Sequence, residues 1–72
     1  MKFGNTARKV NAILGVFRHG EKLRGREIVE RIRGRGYRVN EGNLNMFIYY
    51  NMLYKYLQKE QIKGVNHYSL VG

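Results

Sequence analysis

The absence of cysteine from a chain of 72 residues is the feature that most limits its fold. Disulfides and cysteine-bound zinc, which stabilise many domains of this size, are both excluded. His19 and His67 are the only histidines and there is no aspartate, so we expect neither a structural metal nor a cofactor. The chain must therefore form one domain around a small apolar core, and self-association is an expected further source of stability.

The net charge is +9, from fourteen Lys and Arg against five acidic residues. The electrostatic field of so large a positive charge favours polyanionic partners, such as nucleic acid or an anionic membrane surface. Hydrophobic residues make up 43% of the chain, which argues for a folded domain rather than a disordered basic tail. No apolar run reaches the roughly 18 residues of a membrane span, and residues 1–5 lack the apolar stretch of a signal peptide. We therefore expect a soluble, cytoplasmic protein without a membrane partner.

Glycines and hydrophobic spacing define the first elements. Apolar residues recur at helical spacing between residues 5 and 18, which predicts a helix that Asn5 or Thr6 caps and Gly20 ends. Residues 21–24 are too few for a helix and predict a short strand.

A second helix is predicted over residues 26–34, with Ile28, Val29 and Ile32 facing the core. Glu27 and Arg31 are four positions apart, as are Arg26 and Glu30. This is the spacing of surface ion pairs, each worth about 0.2–0.5 kcal/mol.

The start of the third helix is the best-defined boundary in the sequence. Asn40 is a preferred N-cap residue, and Val39 before it can pack on Leu44 in a hydrophobic staple. Nothing after this start breaks the helix before about Lys59, which predicts about five turns.

This third helix is apolar on two sides. One stripe consists of Met46, Tyr50, Leu53 and Leu57, and a second of Leu44, Ile48 and Met52. A helix with two apolar faces needs two surfaces to cover them. The domain's own core is one, and a second copy of the chain can supply the other.

The tail, residues 61–71, alternates apolar and polar residues around Gly64 and Asn66, which predicts a β-hairpin with its turn there. The predicted order is helix, short strand, helix, turn, helix and hairpin. It defines an α+β fold, a single winged helix-turn-helix domain over residues 1–72 with a C-terminal hairpin as the wing.

Three segments resemble PadR-like repressors, a family of winged helix-turn-helix proteins. Residues 23–32 (LRGREIVERI) are similar to the family's second helix, and residues 37–44 (YRVNEGNL) to the start of its recognition helix, where Ser-Glu-Gly-Thr-Leu is typical. Residues 57–70 resemble its helix end and wing. Minimal chains of this kind are also similar to regulators carried by archaeal viruses and plasmids. The resemblance implies DNA binding, with the leading turns of the third helix in the major groove and the wing on the backbone or minor groove.

The sequence departs from the PadR pattern in three ways. Its third helix is predicted to be several residues longer, Gln61 stands where the family tends to place a helix-ending glycine, and there is no counterpart of the C-terminal dimerisation helix. A homodimer would therefore use the first helix or the extra length of the third.

Three residues are predicted to contact bases: Asn43, Asn45 and Tyr49. An asparagine amide presents the paired donor and acceptor that an adenine edge requires. Asn43 could instead cap the helix end, whereas Asn45 lies deeper in the helix. Tyr49 could reach a phosphate or sugar, or be a core aromatic.

Other polar side chains around the second helix, the turn and the wing are predicted to contact the DNA backbone, where contacts position the protein without selecting sequence. They are Arg24, Arg26, Arg33, Arg35, Arg38, Asn40, Lys55, Lys63 and His67. Arg26 and Arg31, which have nearby glutamates, could form surface ion pairs instead.

These residues favour a transcriptional regulator that binds a specific double-stranded DNA sequence as a homodimer. Enzymatic activity is not expected, because two distant histidines without Cys or Asp assemble neither a nucleophile triad nor a metal cluster. A basic RNA-binding or ribosome-associated protein is one alternative. A protein-interaction winged helix or a membrane-surface adaptor is another. The tyrosines could also stack on single-stranded bases.

Overall fold

The computed structural model describes residues 5–71, so residues 1–4 and residue 72 lie outside the description that follows. In chain order the elements are α1 (Thr6–Leu14), β1 (Leu23–Arg24), α2 (Gly25–Gly34), α3 (Glu41–Asn51), β2 (Leu57–Ile62) and β3 (Val65–Leu70). The strands form one antiparallel sheet in the order β1-β3-β2. The predicted α+β class is confirmed, and the element order is that of a winged helix-turn-helix with β2 and β3 as the wing.

One apolar core holds the helices against the sheet. Its buried side chains come from every element and from the turns after α1 and α3: Ile13, Val16, Phe17, Leu23, Ile28, Val29, Ile32, Leu44, Ile48, Met52, Leu57 and Tyr68. The predicted core stripes of α2 and of the Leu44 side of α3 are confirmed. Tyr68 anchors the wing in this core from the middle of β3.

The helix starts follow the predicted caps. Asn5, rather than Thr6, caps α1, because its side-chain oxygen accepts a hydrogen bond from the Arg8 N–H at 3.0 Å. Asn40 caps α3 in the same way, accepting from the Asn43 N–H at 2.8 Å. Helix α1 ends at Leu14 rather than residue 18, because Val16 and Phe17 leave the helix and enter the core as part of a turn.

Helix α3 is shorter than predicted, ending at Asn51 instead of about Lys59. The chain then turns so tightly that the Met52 carbonyl accepts hydrogen bonds from the N–H groups of residues 55, 56 and 57. Tyr54 takes a positive φ of 66° in this turn, a conformation that costs a non-glycine residue about 1–3 kcal/mol. Burial of Leu57 as the first residue of β2 favours the turn over a longer helix. Among residues 5–71, no helix is long and apolar enough to cross a bilayer.

The wing is longer than the predicted hairpin. Strand β2 begins at Leu57 and pairs with Leu70, and the ladder continues to Ile62 and Val65. The turn is formed by Lys63 and Gly64, with φ of 51° and 80°. Two consecutive positive φ values define a type I′ hairpin turn, which follows the right-handed twist of the strands. Asn66, predicted at the turn, is paired with Gln61 in the ladder.

The ion pairs differ from those expected along α2. The predicted pair of Arg26 and Glu30 is present, with 3.7 Å between Arg26 Nε and Glu30 Oε1. Arg31 instead pairs with Glu21, with Nη1–Oε1 and Nη2–Oε2 distances of 2.5 and 2.7 Å, and also donates to the Val16 carbonyl. Glu27 accepts from both the backbone N–H and the side chain of Arg24. The Glu21–Arg31 pair therefore ties the segment after α1 to α2.

Candidate nucleic-acid interface

The leading turns of α3 are presented to solvent. Glu41, Gly42 and Asn43 are exposed, and farther along the helix Met46 and Tyr49 are 59% and 61% exposed. The opposite side of the helix is fixed to the core by the buried Leu44, Ile48 and Met52. The helix therefore has a rigid inner face and an accessible outer face, which a groove-binding helix requires.

Asn40 and Asn43 have different roles at the start of α3. The side-chain oxygen of Asn40 is occupied by the helix cap, which leaves only its NH₂ group for a backbone contact. The side chain of Asn43 is exposed and makes no hydrogen bond with the part of the chain described, so both its donor and its acceptor face solvent. The Asn43 side chain does not cap the helix. Asn40 is the cap, and Asn43 donates only its backbone N–H to it.

Asn45 does not fit its predicted base contact. Its Oδ1 atom is buried, has no hydrogen-bond partner among the described residues, and lies against Gly25 at the start of α2. Reading an adenine edge needs the amide oxygen as well as the nitrogen. Asn45 is instead a packing contact between α2 and α3, on the side of α3 turned towards α2.

The contact between Gly25 and Asn45 predicts a strong coupling between the two positions. A Cβ added at Gly25 would overlap Asn45 Oδ1, so the end of the Asn45 side chain must move, and Gly25→Ala should lower the free energy of unfolding by about 1 kcal/mol. Asn45→Ala removes the buried, unpaired oxygen and makes space for the new methyl group.

A double-mutant cycle measured by urea unfolding tests this coupling. Gly25→Ala should cost much less in the Asn45→Ala background than in the wild type. Gly34→Ala is the matched control, because a Cβ at Gly34 meets nothing within 4 Å. Equal costs for Gly25→Ala in both backgrounds would contradict the close approach.

Tyr49 and Met46 form the middle of the exposed face. Tyr49 is exposed, so the alternative that it is a core aromatic is wrong, and its ring lies edge-on to that of Tyr50 at 5.1 Å. Met46 and Tyr50 were predicted in an apolar stripe with Leu53 and Leu57, but both are exposed. Met46 was therefore missed as a site residue. At 100° per residue it lies about 160° around the helix from Ile48, and this angle was the available signal.

Arg33 and Arg38 stand beside the start of α3. The Arg33 Nε–H donates to the carbonyl of Val39, the residue before the N-cap, at 2.9 Å. This bond holds the guanidinium at the leading end of the helix and leaves its two terminal nitrogens without a partner among the described residues. Arg38 is exposed and makes no ion pair or side-chain hydrogen bond within the described chain. Both are suited to a phosphate.

Two of the residues predicted to contact the DNA backbone, Arg35 and Lys55, lie away from the leading turns of α3. Arg35 is the residue after α2, and its Nη2 donates to the Gly15 carbonyl at the end of α1, at 2.7 Å, whereas Arg33 donates to Val39 beside α3. Lys55 was predicted on an extended α3, but it lies in the turn after the helix, beside a groove between α1 and Tyr50. The structure does not bring either residue to the leading turns of α3.

The start of α2 and the wing supply further cations. Arg26 is three-quarters exposed, and its exposed pair with Glu30 contributes little to stability, so it can turn to a phosphate. Arg24 is paired with Glu27 and lies opposite His67 in the β1–β3 register. His67 Nδ1 is 2.9 Å from the Val65 carbonyl, so only Nε2 is open. Lys63 is exposed at the tip of the wing.

Comparisons of the chain with protein-family models, with curated proteins and with solved structures found no match to any of the three.

Proposed function

We propose that this protein binds double-stranded DNA as a sequence-specific transcriptional regulator in the cytoplasm, with α3 in the major groove and the wing on the backbone. The observation that carries the proposal is the solvent-exposed start of α3 with Arg33 and Arg38 beside it. A guanidinium held at a helix N-terminus adds its charge to the positive end of the helix dipole, and both attract a phosphate.

A salt titration tests the proposal. Affinity for duplex DNA should fall linearly with log salt, with a slope of about −0.9 for each phosphate neutralised. Structured RNA is the competitor that tests the RNA-binding alternative, since an α-helix cannot enter the narrow major groove of A-form RNA. Tighter binding to the RNA than to any duplex recovered from a random DNA pool would overturn the proposal.

A homodimer on a partly palindromic site is part of the proposal. The extra helix length considered for dimerisation is not present, since α3 ends at Asn51. A groove between α1 and the end of α3 is the surface proposed for the second copy, lined by Thr6, Ala7, Val10, Asn11, Leu14, Tyr50, Asn51, Lys55 and Tyr56. Lys55 is the only charged residue among these lining residues, so the groove itself adds little to the repulsion between two chains of charge +9. The mass of the complex on DNA tests this: one chain per duplex would contradict it.

A protein-binding winged helix is the second candidate, and the exposed apolar side chains favour it. They are Met46, Tyr49, Tyr50, Tyr54 and Tyr56, between 45% and 73% exposed. Contiguous exposed apolar residues often mark a protein contact. Under this candidate, affinity for the partner would depend weakly on salt, and duplex DNA would not compete for the face of α3.

The turn of the wing gives a prediction in which stability and DNA binding change in opposite directions. Lys63 is strained by its left-handed conformation, whereas Asn-Gly is a preferred type I′ pair. Lys63→Asn should therefore raise the free energy of unfolding by up to about 1 kcal/mol. The same change removes a cation from the wing tip and should reduce the salt slope of DNA binding by about 0.9.

Thermal unfolding and a salt titration of the same Lys63→Asn sample check both parts. Lys59→Asn is the matched control, because it removes the same charge from a strand position on β2 and should not raise Tm. A Lys63→Asn protein that is more stable but keeps the wild-type salt slope would exclude the wing tip from the interface.

A further inference from the structure

We infer that the outer face of α3 selects A·T base pairs in the major groove; this inference rests on the proposed DNA binding and names the sequence class that the site recognises. Its basis is the set of donors, acceptors and methyl-binding groups that the exposed side chains offer.

The outer face of α3 contains no group that recognises guanine. Guanine presents two acceptors in the major groove, N7 and O6, and its usual protein partner is Arg or Lys. No Lys or Arg occurs from Glu41 to Tyr54. The nearby guanidinium of Arg33 is tied to the Val39 carbonyl, outside the helix face.

Cytosine has no suitable partner on this face either. Its major-groove group is the N4 amino group, which donates a hydrogen bond that a carboxylate can accept. Glu41 is the only carboxylate in α3, and it lies about 140° around the helix from Met46. The face centred on Met46 therefore lacks the acceptor that would select cytosine.

The residues that do face outward match an A·T pair. The unpartnered amide of Asn43 offers the donor and acceptor that adenine N7 and N6 require. Met46 follows three positions later on the same side, and its flexible apolar side chain can touch the C5 methyl group of thymine. Tyr49 follows after three more positions and extends the apolar surface.

The length of this face agrees with recognition of a few adjacent base pairs. Asn43 and Tyr49 are six positions apart, which is about 9 Å along the helix axis. Successive base pairs are about 3.4 Å apart. The three side chains can therefore reach about three successive pairs, each through a different group.

Four duplexes of equal length separate the possible modes of recognition: alternating A·T, alternating A·U, alternating I·C and alternating G·C. The A·U duplex lacks only the thymine methyl group. The I·C duplex has the minor groove of A·T but the major-groove edge of G·C. Affinities are measured for all four at one low salt concentration, with the full chain.

The A·T duplex should bind most tightly. The A·U duplex should bind about fourfold more weakly for each thymine methyl group that the protein buries. The I·C and G·C duplexes should both bind about 5- to 150-fold more weakly than A·T, as expected when one bidentate pairing with a base cannot form.

Variants assign these differences to residues. Met46→Ala should abolish the difference between A·T and A·U, and Asn43→Ala should reduce the difference between A·T and I·C. Tyr54→Ala is the matched control, because Tyr54 is exposed in the turn after α3, does not line the groove proposed for the second copy, and should leave both differences unchanged.

Each remaining outcome contradicts the inference in a distinguishable way. Equal, salt-dependent binding to all four duplexes would overturn A·T selection while leaving DNA binding intact. Equal binding to A·T and I·C would assign recognition to the minor groove, and so away from α3. Failure to bind any duplex at low salt would overturn the proposed function, and A·T selection with it.

Discussion

Replacing Arg33 and Arg38 together with alanine is expected to lower the affinity for duplex DNA by about 100-fold or more. Hydrogen bonds to charged groups are worth about 1.5–3 kcal/mol each, and both guanidinium groups lie beside the leading turns of α3 without an acidic partner among residues 5–71. The salt slope should fall by about 1.8, because two phosphates lose their cations. Fluorescence anisotropy across a salt series measures both quantities.

The matched control is the double variant Arg18→Ala and Arg35→Ala. It removes the same two positive charges from the side of α2 that faces the end of α1, where both residues line one groove. If the position of the cations matters, this variant should bind DNA nearly as well as the wild type. Equal losses in the two double variants would show that net charge alone drives binding, which would contradict the interface on α3.

The second large effect concerns Glu21 and the acid stability of the fold. Arg31 hydrogen bonds to the Glu21 carboxylate, and with a further bond from the Arg18 N–H this lowers its pKa from 4.5 to about 2. The unfolded chain therefore binds a proton between these pKa values that the folded chain does not, so stability rises with pH over that interval. The stabilisation from ionised Glu21 is fully present above pH 4.5 and is lost as the pH falls towards 2.

Glu21→Gln should therefore lower Tm markedly at neutral pH, because it leaves Arg31 partly buried without its charged partner. The difference in Tm from the wild type should shrink as the pH falls from 4.5 towards 2. Glu30→Gln, in the exposed pair with Arg26, is the control and should change Tm little at any pH. A Glu21→Gln deficit that stays constant down to the lowest pH would contradict a role for the ionised pair.

The sequence predicts the local features of this fold well, because short-range chemistry determines them. The caps at Asn5 and Asn40 and the core stripe of α2 depend on neighbours within four positions. The end of α3 does not depend on such near neighbours. It is determined by pairing of β2 with β3 and by burial of Leu57. The stabilisation from this pairing and burial exceeds the cost of the positive φ at Tyr54.

In the candidate site too, the sequence predicts the features that depend on local position and not those that depend on tertiary packing. Asn43 and Tyr49 are exposed, as their places near the start of α3 suggested. Asn45 is not available, because Gly25 of another helix leaves space for its side chain, and such packing has no local signal. Arg33 and Arg35 differ for a similar reason. Arg33 donates to Val39 beside α3 and Arg35 donates to Gly15 at the end of α1, and only the tertiary structure shows which of the two lies beside α3.

Amide chemical shifts measured while a short A·T duplex is added at low salt test the central proposal most directly, because they report binding and its location together. We expect the largest shifts from Glu41 to Tyr50 and at Lys63 and Gly64, with the amides of residues 15–18 unchanged. Shifts confined to α1 and its following turn, or none at a duplex concentration that saturates other basic DNA-binding domains, would contradict a DNA interface on α3 and the wing.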